Sequence, residues 1–147
     1  MTLRILFLGL LAAAAFDNAR AADPDIAGIA AKEPGAFVSP SGLVYRSLRE
    51  GKGANPTAAD VVKVHYRGTL ASGKEFDSSY TRGEPAQFPL GGVIPCWTEG
   101  VQKMKVGGKA QLVCPAAIAY GSRGAGGVIP PDATLKFEVE LLEIAKR

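Results

Sequence analysis

The chain has 147 residues, of which 47% are hydrophobic and 21% are charged, and its formal net charge is +3. This composition is that of a single folded domain and excludes disordered, collagen-like and coiled-coil proteins. The basic residues are scattered and form no cluster, so the charge does not support a nucleic-acid partner.

Residues 1–21 have the layout of a secretory signal peptide. Arg4 precedes an apolar run over residues 5–16, and alanines occupy positions 19 and 21. The run is shorter than the roughly 20 residues that a transmembrane helix needs, so we expect no stable membrane anchor. The sequence therefore predicts cleavage near Ala21 and a periplasmic or secreted mature protein.

The first part of the mature chain, residues 22–41, is broken by prolines and predicts a flexible N-terminal arm with at most one helical turn. From Leu43 the residues alternate as a strand, which ends at the glycines in positions 51 and 53. Alternation returns over residues 62–67 and predicts a half-buried strand with Tyr66 pointing inward and His65 outward. Residues 85–90 predict a further short strand.

A short helix is predicted to begin at Pro95 and to end at the glycine pair 107–108. Proline at the start, Glu99 early, and Lys103 and Lys105 late match the polarity that a helix favours. Two strands follow, over residues 109–114 and 135–141, with a glycine-rich loop between them. Together the elements predict an α+β domain, a mainly antiparallel sheet of five or six strands with one short helix.

The two cysteines of the chain are Cys96 and Cys114. In an exported protein an even pair favours a disulfide over a metal or redox site. Two buried free thiols, and a thiol-redox role for the pair, remain as alternatives. The single histidine points outward and supplies neither a catalytic triad nor a two-histidine metal site, so we expect no metal.

The glycine-rich loop over residues 121–127 lacks the order of a phosphate-binding loop. Aromatic side chains near the predicted turns are the remaining candidates for a site, and they either fill the core or line a pocket. They are Tyr66, Phe76, Phe88, Trp97, Tyr120 and Phe137.

Five short blocks follow one another in a specific order: residues 64–68 (VHYRG), 73–79 (GKEFDSS), 93–100 (VIPCWTEG), 119–121 (AYG) and 129–131 (IPP). These blocks resemble the FKBP-type peptidyl-prolyl cis-trans isomerases, the family of the immunophilins that bind tacrolimus and rapamycin. The resemblance covers about residues 42–144 and implies an isomerase domain over residues 42–147. It also implies a sheet wrapped around one short helix, with an apolar pocket between them for the proline ring of a substrate.

Residue by residue, the resemblance implies catalytic roles for Tyr66, Phe76, Asp77, Trp97, Tyr120 and Phe137. Trp97 would form the pocket floor, with aromatic walls around it, and the Tyr120 hydroxyl would bind a ligand carbonyl. The resemblance implies substrate or inhibitor contacts for Arg82, Val93, Ile94, Val128 and Ile129. The Ile94 backbone would hydrogen-bond the substrate, Arg82 would pair with Asp77, and residues 128–129 would form a flap over the site.

The implied activity is acceleration of rotation about Xaa-Pro bonds in exported proteins. Its expected partners are proline-containing unfolded or folding polypeptides, its expected inhibitors are tacrolimus- and rapamycin-type macrolides, and no cofactor is implied. Gly42-Leu43 and the export signal resemble the periplasmic macrophage infectivity potentiator branch. The helical dimerisation region of the longer members of that branch has no counterpart in this sequence, so we expect a monomer. The alternative is a non-catalytic holdase or peptide-binding module that uses the same pocket.

Overall fold

A computed structural model describes residues 24–145 of the chain. The predicted signal peptide lies outside these residues. The helices are α1 (Ile26–Ala31), α2 (Ser79–Arg82) and α3 (Pro95–Val101), and short 3₁₀ turns occur at Leu90–Gly92 and Ala116–Ile118. The strands are β1 (Phe37–Val38), β2 (Val44–Arg49), β3 (Val61–Leu70), β4 (Glu75–Ser78), β5 (Ala86–Pro89), β6 (Lys109–Cys114) and β7 (Leu135–Ala145).

All seven strands of the described chain form one antiparallel sheet in the order β1-β2-β6-β7-β3-β4, and β5 also pairs with β3. The predicted α+β class with an antiparallel sheet is confirmed. The number of strands differs from the predicted five or six, because β1 has only two residues and such a length carries no alternation signal.

Strand β3 is the centre of the fold. Its ten residues pair with β7 along their whole length, while its other edge pairs with β5 over 61–64 and with β4 over 67–69. As predicted, alternate side chains point inward: Val62, Val64 and Tyr66 are buried, and His65 lies on the other face. The inward side chains pack with α3 into a single core.

Helix α3 is shorter than predicted and ends at Val101 rather than at the glycine pair 107–108. The amide side chain of Asn55 explains this end, because its Nδ2 donates to the carbonyl oxygens of Gln102 at 3.2 Å and Met104 at 2.7 Å. These carbonyl groups thereby gain partners without a further helical turn. The predicted charge polarity is also absent, since no acidic residue lies in the first turn of α3 and no basic residue lies in its last turn.

The segment predicted as an arm packs against the sheet. Helix α1 has six residues, and Asp25 caps it by accepting a hydrogen bond from the Gly28 N–H at 3.1 Å. Ala30 is buried against Val44 and Val113, on the face of the sheet opposite α3. This packing has only a weak signal in the sequence, because Ala30 is the one buried residue of α1 and the apolar pattern of the helix is correspondingly weak. None of the helices in residues 24–145 is long and apolar enough to cross a membrane.

A disulfide joins Cys96, in the first turn of α3, to Cys114, the last residue of β6. Their Cα atoms are 5.9 Å apart, within the usual range for a disulfide, and both residues are fully buried. The predicted bridge is confirmed, and the alternative of two free thiols is wrong. The bridge ties the start of α3 to the sheet immediately before Trp97.

Candidate functional site

An open cavity of about 450 Å³ lies between the sheet and α3. The side chains and backbone that line it come from β3, β4, β5, α3, β7 and the loops before α3 and after the second 3₁₀ turn. The lining residues are Tyr66, Phe76, Asp77, Phe88, Gly92, Val93, Ile94, Trp97, Tyr120 and Phe137. The structure therefore brings together all six residues for which the sequence predicted a catalytic role.

Trp97 forms the centre of an aromatic cluster around this cavity. Three rings meet its indole edge to face, those of Tyr66 at 5.3 Å, Phe88 at 5.5 Å and Phe137 at 5.5 Å between centroids. Edge-to-face pairs of this kind contribute about 0.5–1.5 kcal/mol each beyond the burial of their area. Trp97 itself is only 4% exposed, so the cluster holds it as a fixed apolar surface.

A β-bulge directs two consecutive residues of β4 toward the cavity. Gly68 of β3 pairs with Asp77 and the next residue, Thr69, pairs with Glu75, which leaves Phe76 as an extra residue on β4. In a regular strand Phe76 and Asp77 would point to opposite faces, whereas a bulge re-aims a side chain. The cavity consequently has an apolar wall and a carboxylate from one short strand.

A polar cluster stands beside this wall. The Tyr66 hydroxyl donates a short hydrogen bond to Oδ2 of Asp77. Arg82 donates from Nη1 to Asp77 Oδ1 at 2.6 Å and from Nη2 to the Tyr66 hydroxyl at 3.1 Å. Helix α2 places Arg82 here, because Ser78 caps its first turn and Gly83, with φ of 82°, ends it directly after Arg82.

The cluster keeps Asp77 ionised. Burial acts to raise the pKa of its carboxyl group, but the hydrogen bonds from Tyr66 and Arg82 and the charge of Arg82 outweigh burial and hold the pKa below its ordinary value. Burial and the neighbouring carboxylate raise the pKa of Tyr66. Near neutral pH the cluster therefore holds one carboxylate, one guanidinium and one neutral phenol, none of them close to a proton-transfer equilibrium.

Two of the residues that line the cavity, Tyr120 and Ile94, carry hydrogen-bonding groups. Tyr120 lines the cavity and is 40% exposed. The Ile94 carbonyl accepts from the amides of Trp97 and Thr98 at the start of α3, at 2.9 and 3.2 Å, while the Ile94 N–H has no acceptor in the described chain. The residues that line the cavity thus include a backbone N–H without an acceptor in the described chain and a phenolic hydroxyl group.

The predicted contacts divide into two groups. Val93 and Ile94 line the cavity. Arg82 does not line it but donates hydrogen bonds to two lining residues, Asp77 and Tyr66. Val128 and Ile129 do not line it: Val128 is 52% exposed, whereas Ile129 is only 6% exposed and belongs to the core.

Other features of the described chain do not form a comparable site. His65 lies on the opposite face of the sheet, where its ring stacks on Tyr80 at 4.6 Å and its Nδ1 is 2.8 Å from Ser79 Oγ. In residues 24–145 no group of three or more His, Cys, Asp and Glu side chains is placed to hold a metal ion. A second cavity, of about 400 Å³, is lined in part by Pro24 and Asp25, the first two described residues.

Comparison with known proteins agrees with this geometry. The family model of the FKBP-type peptidyl-prolyl cis-trans isomerases matches residues 52–142. The chain belongs to this family. The resemblance seen in the five sequence blocks is therefore confirmed, and the aromatic cavity is the candidate site of an FKBP-type domain.

Named proteins and solved structures are similar to this FKBP-type domain. The FKBP-type peptidyl-prolyl cis-trans isomerase FkpA of Escherichia coli is 56% identical over 114 residues, which are 78% of this chain and 42% of the relative. The crystal structure of FkpA from Escherichia coli superposes with a TM-score of 0.81 at 50% identity, covering 87% of this chain and 60% of that chain. A peptidyl-prolyl cis-trans isomerase structure from Pseudomonas syringae gives a TM-score of 0.78 at 36% identity, covering 88% and 96%. This chain thus spans less than half the length of the curated FkpA relative.

Two lining residues of the FKBP-type domain were missing from the predicted site. The sequence leaves Phe88 open as a core or a pocket residue and assigns it no role in the site. Its position on β5 next to the long β3 strand places its ring against Tyr66 at 5.8 Å and at the cavity wall. Gly92 lines the cavity through its backbone, and no side-chain chemistry could have revealed it. The available signal for Phe88 was the period-two pattern of β5, in which Ala86 and Phe88 are the two half-buried positions.

Proposed function

We propose that the protein accelerates cis-trans isomerisation of Xaa-Pro peptide bonds, with the proline ring seated against Trp97. One observation carries this proposal: an open, aromatic-floored cavity with hydrogen-bonding groups on its rim, in a chain of the FKBP-type family. The cavity volume of about 450 Å³ suits a proline ring with its flanking peptide units.

The chemistry follows from the nature of the bond. Rotation about an Xaa-Pro bond is slow because twisting destroys amide resonance, at a cost of about 18–20 kcal/mol. No covalent bond and no proton needs to be transferred. The twisted amide has less charge separation than the planar one, so an apolar cavity disfavours the planar ground state more than the transition state.

The residues around the cavity divide this work. The rings of Trp97, Phe76 and Phe137 exclude water from the prolyl amide. The Ile94 N–H and the Tyr120 hydroxyl hold carbonyl groups of the flanking peptide while the bond turns. Asp77 and Arg82 act mainly by fixing the Tyr66 ring, since their charges are neutralised by each other.

The proposal also includes the substrates, the inhibitors and the cellular location of the protein. The signal-peptide layout of residues 1–21 supports export, and exported polypeptides with proline-limited folding are the proposed substrates. Tacrolimus and rapamycin are the proposed inhibitors, because a macrolide that fills the aromatic cavity would exclude the proline ring. The proposed active form is a monomer.

The direct test is an isomerisation assay on a short Xaa-Pro peptide, with and without rapamycin. We expect catalysis by the purified protein and its loss on addition of the macrolide. Trp97 is the one tryptophan of the chain, so its fluorescence reports occupation of the pocket independently of turnover. Macrolide or peptide binding without any acceleration would contradict the enzymatic proposal and favour the peptide-binding alternative.

A further inference from the structure

Gly68 lies beneath two rings that form the aromatic wall. It is buried on the inward face of β3, and it pairs in register with Asp77 on β4 and with Phe137 on β7. A Cβ atom at this position would lie 2.5 Å from Cζ of Phe76 and 2.9 Å from Cε1 of Phe137. Both distances are shorter than real Cβ contacts, so the two rings occupy the space that any side chain would need.

The backbone does not require glycine here. Gly68 is not among the residues with positive φ, so an alanine could adopt its conformation without strain. The nearest obstacles to a side chain are therefore the two rings, whose centroids are 5.6 Å apart and whose planes meet at 83°.

We infer that Gly68 is a positioning residue of the proline pocket: its missing side chain lets the rings of Phe76 and Phe137 meet edge to face across β3 and so sets the position of the pocket wall. The inference rests on the proposed isomerase function for its catalytic readout. It concerns a residue that does not line the cavity and that no substrate would touch.

The two rings differ in their freedom to yield. Phe137 is 4% exposed and is held against Trp97, whereas Phe76 is only partly buried and lies on a short bulged strand. A methyl group on residue 68 would therefore displace Phe76 in preference to Phe137. Displacement of Phe76 changes the wall that receives the proline ring, so binding and catalysis should fall together.

The test compares Gly68→Ala with a matched control, Gly100→Ala. A Cβ at Gly100, in α3, would meet Leu112 Cδ2 at 2.8 Å, a comparable clash with a side chain that does not line the cavity. We expect Gly68→Ala to lower kcat/KM on an Xaa-Pro peptide at least about tenfold and to weaken rapamycin binding, followed through Trp97 fluorescence, by a similar factor. Gly100→Ala should keep both within about threefold of the wild-type values. Equal effects of the two variants would overturn the inference.

A rescue experiment separates positioning from a general loss of stability. If the methyl group acts through the Phe76 ring, then in the Phe76→Leu background Gly68→Ala should cost less than about threefold in kcat/KM. The comparison of Phe76→Leu with Phe76→Leu/Gly68→Ala also tests the inference if Gly68→Ala alone does not fold. A further tenfold loss in the Phe76→Leu background would contradict the inference. An inactive wild-type protein would refute the proposed isomerase function instead, and the fluorescence measurement would then decide the role of Gly68.

Discussion

The disulfide between Cys96 and Cys114 is expected to contribute stability that is lost under reducing conditions. It closes a loop between residues that are 18 positions apart in the chain and connects α3 to the end of β6. The perturbation is the double substitution Cys96→Ala/Cys114→Ala, which removes the covalent link and leaves no thiol that could form a wrong bridge.

The magnitude follows from the length of the loop. For a loop of about 19 residues, the chain-entropy estimate gives about 3 kcal/mol of stability at 25 °C. With about 2.1 cal/mol/K of unfolding entropy per residue over the described domain, that loss corresponds to a fall in Tm of about 12 °C. Both sulfur atoms are fully buried, so the small cavities left by their removal add to the loss.

The assay is urea unfolding followed by circular dichroism, in parallel for the wild-type protein and the double variant. The variant should lose about 3 kcal/mol, and the wild-type protein should lose a similar amount when it is unfolded and refolded in a reducing buffer. The variant should be insensitive to the reductant, which makes it its own control. A loss below about 1 kcal/mol would refute the reasoning and show that sheet and helix packing alone fix α3.

Three further predictions concern the site. Activity should be nearly flat between about pH 6 and 9 and unchanged by His65→Ala, because the mechanism transfers no proton; a pH-dependent change in activity that His65→Ala removes would require an acid–base step. Trp97→Ala and Phe76→Ala should each lower kcat/KM at least about tenfold. Removal of the buried Trp97 ring should also destabilise the fold by about 3–5 kcal/mol and removal of the partly buried Phe76 ring by less, so thermal unfolding must be followed beside activity; wild-type turnover in either variant would show that the aromatic wall is dispensable. Asp77→Asn should be less stable than the wild-type protein at pH 7, and the difference should shrink below about pH 4, because a carboxyl group with a lowered pKa contributes stability above its unfolded pKa and loses it on protonation. A difference that stays constant down to pH 2 would contradict the ion-pair account.

Much of the fold could be predicted because the sheet obeys simple alternation. Strands β3 and β7 bury every second side chain along most of their length, and their sequences show it directly. The elements that were misjudged depend on distant partners. The end of α3 is set by the side chain of Asn55, and α1 is held by a contact between Ala30 and two valines of the sheet. Neither interaction leaves a local pattern in the sequence.

The site was predicted through the order of its motifs and not through periodicity. Alternation alone would place Phe76 and Asp77 on opposite faces of a strand, and it gives no reason for both to face one cavity. The bulge that brings them together is a property of the pairing between β3 and β4, in which Gly68 and Thr69 oppose three residues. Pairing partners cannot be read from either strand by itself.

The bulge between β3 and β4 also bears on why Gly68 lies within the ten-residue pairing of β3 with β7. Glycine weakens a strand interior, because it adds conformational entropy to the unfolded chain and contributes no side-chain packing. At Gly68 that cost is offset by the rings of Phe76 and Phe137, which converge from β4 and β7 on the space above its backbone. A residue that violates the local preference of its strand is thus placed where the pocket requires it, which is where departures from local rules are expected in a functional protein. The pocket therefore depends on the fold at Gly68, since β4 and β7, the two strands that pair with β3 at this residue, also supply the wall against which a proline ring would rest.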